Sequence, residues 1–124
     1  MSRAFVTTAG VGAVVALAAG TAWLAHEPAP PSAAEQWPLF ARYCVDCHNR
    51  DDLTANIAFD GMTAESIDHE PEVFEAVVRK LRGAQMPPPG ALQIDNATRR
   101  EWIAGLEHAL DSAAAFEPNP GQIA

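Results

Sequence analysis

The sequence is poor in cysteine and in basic residues, and each shortage excludes a class of function. Only 2 cysteines occur in the 124 residues, and 8 Lys and Arg stand against 16 Asp and Glu, which gives a formal net charge of −8. A structural zinc site usually takes four ligands, commonly from two Cys pairs, and the histidines outside the cysteine region show no ligand spacing (His26, His69 and His108). Nucleic acids attract basic surfaces, so we expect no nucleic-acid partner.

Alternating apolar and polar residues, the pattern of β-strands, are also missing. The pair Cys44 and Cys47 therefore lacks the βαβ setting of a thioredoxin-like redox site. A disulfide between these two cysteines would close a loop too short to stabilise the fold much. Because the periodic segments of the chain have helical spacing, we predict an all-α fold.

Both cysteines belong to the stretch Cys44-Val45-Asp46-Cys47-His48, the C-x-x-C-H pattern of c-type haem attachment. Two thiols three positions apart lie on one side of a helical turn, from which each can reach one vinyl group of the same porphyrin. The imidazole of His48 would then point at the iron as the proximal ligand. We therefore predict one haem c, bound covalently by Cys44 and Cys47.

Met86 is the predicted second axial ligand. Prolines at 87–89 follow it and restrict the backbone, so that a weak thioether ligand loses little freedom when it is held on the iron. Met62, in a loop nearer the haem motif, and His69 are the alternatives. A Met/His pair raises the reduction potential relative to two histidines. It also leaves no iron position open, so we expect no catalytic residue and no small-molecule substrate.

Residues 1–25 have the pattern of a signal peptide or a membrane anchor. Arg3 precedes a run without charge from residue 4 to residue 25. Residues 5–24 are long enough to span a membrane, and Trp23 suits an interfacial position. Small residues around Gly20 also suit signal-peptide cleavage. Either outcome would place the rest of the chain in the periplasm or on the outer face of the cytoplasmic membrane.

The remainder divides into a linker at 26–31, a domain at 32–118 and a flexible tail at 119–124. The linker has three prolines in six residues, which favours extended backbone. Ser32 and Glu35 form a capping box that opens the first helix. This helix is expected to run into the haem motif and to carry Phe40 on the haem side, four residues before Cys44.

Two further helices and an intervening loop complete the predicted domain. The middle helix begins around 68–72 with Pro71 in its first turn and ends at Gly83. Asp95 caps a final helix that runs to about Ala115 and is expected to pack against the first helix. The apolar faces are Val73, Phe74, Val77, Val78 and Leu81 on the middle helix, and Trp102, Ile103, Leu106, Ala109 and Leu110 on the final one. The loop at 49–67 is expected to turn three residues inward: Leu53, Ile57 and Phe59.

Together, Phe40, the haem motif, the Met-Pro segment and the aromatic-bearing last helix resemble the class I (mono-haem) cytochrome c family over residues 33–115. The resemblance implies a small cytochrome c fold, with three to five helices wrapped around one covalently bound haem and an N-terminal hydrophobic helix before them. It carries Cys44 and Cys47 over as attachment points, and His48 and Met86 as axial ligands. Gln36 departs from the family, which usually has glycine there. Segments 79–90 and 118–121 are similar to the cytochrome c modules of planctomycete-type multidomain proteins.

The role that this resemblance implies is single-electron transfer outside the cytoplasm, by an electron carrier rather than an enzyme. Its partners would be redox proteins, and a charge of −8 permits steering toward a basic partner. The membrane would be a further partner if the N-terminal helix is not cleaved. The alternative is a fixed electron-relay subunit of a larger oxidoreductase complex. A haem peroxidase is a third possibility, but it requires an open iron position.

Overall fold

The computed structural model describes residues 28–116, and over this range the chain is helical and contains no strand. The all-α prediction is therefore confirmed for these residues. The predicted signal peptide or anchor and the predicted tail lie outside them. None of the described helices is both long and apolar enough to cross a membrane. The helices are α1 (Ala33–Gln36), α2 (Pro38–Tyr43), α3 (Ser66–His69), α4 (Pro71–Arg82) and α5 (Asn96–Phe116), with a 3-10 turn at Thr54–Asn56.

The predicted capping box starts α1. The backbone amide of Glu35 donates to the Ser32 hydroxyl at 3.3 Å, and the Ser32 amide donates to the Glu35 carboxylate at 2.8 Å. Pro38 lacks an amide hydrogen and divides the predicted first helix into two. Trp37 between them keeps helical angles (φ −53°, ψ −35°), so α2 continues the path of α1 toward the cysteines.

The middle helix has the predicted apolar face, which contacts both the core and a cavity. Phe74, Val78 and Leu81 are buried in the core, whereas Val73 and Val77 line a cavity. The helix begins at Pro71. A separate short helix, α3, occupies part of the segment where we expected only a loop and the start of the middle helix.

Helix α4 ends at Gly83 as predicted, but the left-handed residue is the next one. Gly83 caps the helix with an ordinary φ of −77°, and the left-handed residue is Ala84, with φ 49°. The Gln85 amide donates to the Lys80 carbonyl at 2.9 Å, and the Ala84 amide to the Leu81 carbonyl at 3.1 Å. These are the two bonds of a Schellman motif, so alanine occupies the position where glycine is usual.

The final helix is capped as predicted. The Asp95 carboxylate accepts the backbone amides of Ala97 and Thr98, each at 3.0 Å. Trp102 and Leu106 have no exposed surface. The Trp102 ring meets the Phe40 ring edge-on at 5.0 Å, which confirms the predicted packing of the last helix on the first.

Phe40 is the centre of the core rather than a wall of the cavity. Its side chain is 1% exposed, and its ring lies 4.6 Å from that of Trp37 and 4.9 Å from that of Phe59. Phe59 lines the cavity beside the haem motif and Phe40 does not, so Phe40 approaches that cavity only through its contact with the Phe59 ring. The core consists of Phe40, Phe59, Ile67, Phe74, Val78, Leu81, Ile94, Trp102 and Leu106.

Helices α1 and α5 approach closely where Gln36 faces Gly105. Gln36 is 7% exposed, and its Nε2 donates to the Glu101 carbonyl at 2.9 Å. A Cβ atom on Gly105 would lie 2.1 Å from Gln36 Oε1 and 2.5 Å from the backbone oxygen of Pro31. Gln36 stands where the family resemblance led us to expect glycine, and the glycine that permits the close approach is on the opposite helix.

Candidate functional site

A cavity of about 290 Å³ opens between α2, the Thr54–Asn56 turn, α4 and the segment that follows α4. All four predicted site residues, Cys44, Cys47, His48 and Met86, line it. They come from two regions separated by the whole of α3 and α4. The fold therefore brings the C-x-x-C-H motif and the predicted second ligand to one cavity.

The cavity wall is mainly apolar. The residues Val73 and Val77 are four apart on α4 and therefore face the same way. The described residues that contribute apolar atoms also include Ile57, Phe59, Ala76, Leu81, Pro87, Pro88, Ala91 and Leu92. Three charged side chains reach the wall, namely Arg42, Asp46 and Lys80. Two of these three are cationic, although the protein as a whole has a net charge of −8.

Both cysteines are free thiols on one turn that continues α2. The Cys44 amide donates to the Phe40 carbonyl at 2.9 Å, and the His48 amide donates to the Cys44 carbonyl at 2.9 Å. Cys47 is exposed and Cys44 is half-buried. Desolvation by burial raises the pKa of Cys44 to about 12.

The imidazole of His48 donates one hydrogen bond to the backbone. Its Nδ1 lies 2.9 Å from the Thr54 carbonyl oxygen, and because a carbonyl can only accept, Nδ1 carries the proton. Nε2 is then left with a lone pair, the form in which imidazole binds a metal. The Phe59 ring stands edge-on at 5.7 Å, and the Phe59 amide donates to the His48 carbonyl at 2.8 Å. Both contacts restrict the position of His48.

Among the three candidates for a second ligand, only Met86 lines this cavity. Met62 packs against the core. His69 lies beside a separate pocket with Asp68 and Ser112. Imidazole nitrogen and thioether sulfur are both ligands for haem iron, so His48 and Met86 are the pair that the cavity offers.

The proline segment that carries Met86 is bent rather than extended throughout. The Ala91 amide donates to the Pro88 carbonyl at 3.1 Å and closes a turn. The Gln93 side-chain amide donates to the same carbonyl at 2.9 Å. At the other end, Lys80 Nζ donates to Gln85 Oε1 at 3.0 Å. These bonds fix the segment on both sides of Met86.

Sequence reasoning missed two parts of this site. The backbone carbonyl of Thr54 accepts a hydrogen bond from His48 Nδ1, and no side-chain pattern in the sequence predicts such a bond. The side chain of Asn49 makes several hydrogen bonds beside the motif, and an asparagine two residues before the pair Asp51 and Asp52 is a turn signal that could have found it. Leu53, expected to turn inward, is 48% exposed, so that prediction was wrong. Ile57 lines the cavity, and Phe59 both lines it and is buried in the core.

Comparisons with known proteins leave the site to be interpreted from its own geometry. No protein-family model matches the chain, and neither a curated protein nor a solved structure matches it.

Proposed function

We propose that this protein is a mono-haem c-type cytochrome that transfers single electrons between redox proteins. The haem c would be attached through Cys44 and Cys47, and its iron would be ligated by His48 and Met86. The observation that carries the proposal is that all four residues line one apolar cavity. A small cytochrome c fold, with the described helices wrapped around the haem, belongs to the same proposal.

The chemistry of the donor set fits a covalently attached haem. Cys44 and Cys47 line the same cavity as free thiols, and the S–H bond of each would add across one vinyl C=C bond of the porphyrin, which gives a thioether and no by-product. The bond from His48 Nδ1 to the Thr54 carbonyl leaves Nε2 available as a ligand. Val73 and Val77 of α4 give the cavity that His48 and Met86 line an apolar wall, which suits the apolar faces of a porphyrin. Arg42 and Lys80 can offset the negative charge of carboxylate substituents on a bound porphyrin.

Each residue would have a distinct part in electron transfer. When bound, the haem supplies an iron that alternates between the ferric and ferrous states. The Thr54 carbonyl keeps the proton on Nδ1 of His48 and so fixes the ring orientation. Met86, on a segment that hydrogen bonds hold on both sides, would supply a sulfur ligand that favours the ferrous state. The protein would therefore contribute ligands, an apolar wall and a surface for partners.

The compartment belongs to the proposal as well. We place the domain in the periplasm or on the outer face of the cytoplasmic membrane, because residues 1–25 have the composition of a signal peptide or an anchor. The charge of −8 favours approach to a basic redox protein.

Covalent haem is the first expected result. The protein is produced in a host that attaches c-type haem, and the denatured polypeptide should retain haem whose reduced pyridine complex absorbs as a two-thioether species. Variants with Cys44→Ala or Cys47→Ala should each give a one-thioether spectrum, and the double variant should lose all covalent haem. A double variant that retains it would contradict the proposed attachment sites.

Substitution of the second ligand gives a separate expected result. Met86→Ala should abolish the sulfur-to-iron charge-transfer absorption of the ferric protein and lower the reduction potential, because a thioether stabilises the ferrous form. Met62→Ala is the matched control, since Met62 lies against the core. It should cost about 2 kcal/mol of stability and leave the absorption and the potential unchanged. The assignment of Met86 fails if Met86→Ala leaves the absorption and the potential unchanged.

A further inference from the structure

Asn49 directly follows the haem motif. Both the amide nitrogen and the amide oxygen of its side chain make hydrogen bonds. Its Nδ2 donates to the carbonyls of Val45 and Asp46 at 2.9 and 3.2 Å, and to the Asp52 carboxylate at 3.0 Å. Its Oδ1 accepts the backbone amides of Asp51 and Asp52 at 3.0 and 2.9 Å. One side chain therefore ties the turn that carries the cysteines to the loop that follows it.

The residues at the end of that loop, 53–56, have a strained backbone. Leu53, Ala55 and Asn56 have φ values of 45°, 55° and 59°, in the left-handed region that residues other than glycine rarely adopt. Three such residues within four positions persist only where the surroundings hold them. Leu53 is half exposed, so burial of its side chain does not hold it. Its amide instead donates to the Asn49 carbonyl at 2.8 Å.

The strained segment lines the cavity through Thr54 and Ala55 and also makes a hydrogen bond to a candidate site residue. Thr54 lies between the left-handed residues, and its carbonyl oxygen accepts the His48 Nδ1–H at 2.9 Å. The same oxygen also accepts the Ile57 amide at 3.3 Å. A carbonyl with two donors is fixed in direction, so the position of the imidazole depends on the position of this loop.

We propose that Asn49 is a positioning residue for His48. By fixing residues 49–53, it holds the Thr54 carbonyl against Nδ1 and thereby sets the orientation and the donor strength of the imidazole. This inference rests on the proposed function, in which His48 ligates the haem iron. A firm hydrogen bond to Nδ1–H makes the ring a stronger electron donor and favours ferric iron. Loosening that bond should therefore raise the reduction potential.

The test uses the full-length holoprotein and the variants Asn49→Ala and Asn96→Ala. Asn96 is the matched control, because its exposed side chain bonds Arg99 at the start of α5, away from the motif. In the reduced protein, nuclear magnetic resonance measures how fast the His48 Nδ1 proton exchanges with solvent. We expect Asn49→Ala to speed this exchange by about tenfold, the effect of losing one ordinary hydrogen bond. The same variant should raise the reduction potential, and Asn96→Ala should change neither quantity.

A conservative variant keeps the test decisive if Asn49→Ala fails to retain a folded holoprotein. Asn49→Asp keeps an acceptor for the amides of Asp51 and Asp52, but it loses the donor to the Val45 and Asp46 carbonyls and places a second carboxylate beside that of Asp52. It should therefore change the exchange rate and the potential in the same direction as the alanine variant. Unchanged values in a folded Asn49 variant would overturn the proposal, and so would equal changes in Asn96→Ala.

Failure of the proposed function would be recognised separately. It would appear in the wild type itself, as a protein without covalent haem or with an iron that His48 does not ligate. Failure of the positioning role would appear only in the comparison of variants, with a wild type that has haem bound as proposed.

Discussion

The chain prepared without haem is expected to lack a stable fold. A bound haem would cover the apolar wall of the cavity of about 290 Å³, and each Å² of apolar surface removed from water stabilises a fold by about 25 cal/mol. A small domain has a total stability of only about 5–15 kcal/mol, so the loss of this burial is a large part of the whole. Val73, Val77 and Ile57 would then face water across the empty space.

Circular dichroism with thermal melting measures this effect. The wild type with haem is compared with the Cys44→Ala, Cys47→Ala double variant produced without haem. The haem form should melt cooperatively, whereas the double variant should show reduced helicity and a broad or absent transition. The single variant Cys47→Ala is the control. It should keep a haem in the cavity through the one thioether that remains at Cys44, so it separates the loss of an attachment from the loss of the haem. A haem-free variant that melts as cooperatively as the haem form would contradict the expectation.

Gly105→Ala is expected to destabilise the haem protein by about 3 kcal/mol, at the upper end of the usual cost of overpacking. In an exposed helix interior, alanine in place of glycine stabilises by about 0.5–1 kcal/mol. Here the new methyl group would lie 2.1 Å from Gln36 Oε1 and 2.5 Å from the Pro31 backbone oxygen. Both separations are far below contact distance, so α1 would have to move away from α5.

A second substitution on the facing helix tests the cause. Gln36→Ala removes the nearer of the two atoms, and the double variant with Gly105→Ala should recover part of the lost stability in denaturant unfolding. Recovery is incomplete because the Pro31 oxygen remains. Gly61→Ala is the control, since its new Cβ would meet the end of the flexible Arg50 side chain at 3.1 Å and should cost little. Strictly additive effects of Gln36→Ala and Gly105→Ala would show that the contact is not the cause.

The starts of the helices could be predicted because they depend on neighbouring residues. Ser32 with Glu35, Pro71 and Asp95 each act on backbone groups within one helical turn. The apolar faces of α4 and α5 could be predicted for the same reason, since helical spacing is a property of the sequence alone. The grouping of Cys44, Cys47 and His48 in one turn follows from spacing as well.

The remaining features depend on how distant segments meet. Val73 and Phe74 are equally apolar, and nothing in the sequence assigns the first to the cavity and the second to the core. The carbonyl of Thr54 carries no sequence signal at all. At the end of α4, the sequence offers Gly83 as the natural left-handed residue, yet the Schellman bonds fall around Ala84.

The bond between Gln36 and Glu101 also has a consequence for the rate of folding. It joins residues 65 positions apart, whereas the hydrogen bonds within each helix join residues four apart. Closing a loop of that length costs about 4 kcal/mol of chain entropy by the logarithmic relation for flexible loops. Helices themselves form within about a microsecond. The docking of the first helix on the last therefore belongs to the slow step of folding, and a helical protein of this size should fold more slowly than one whose neighbouring helices pack in sequence.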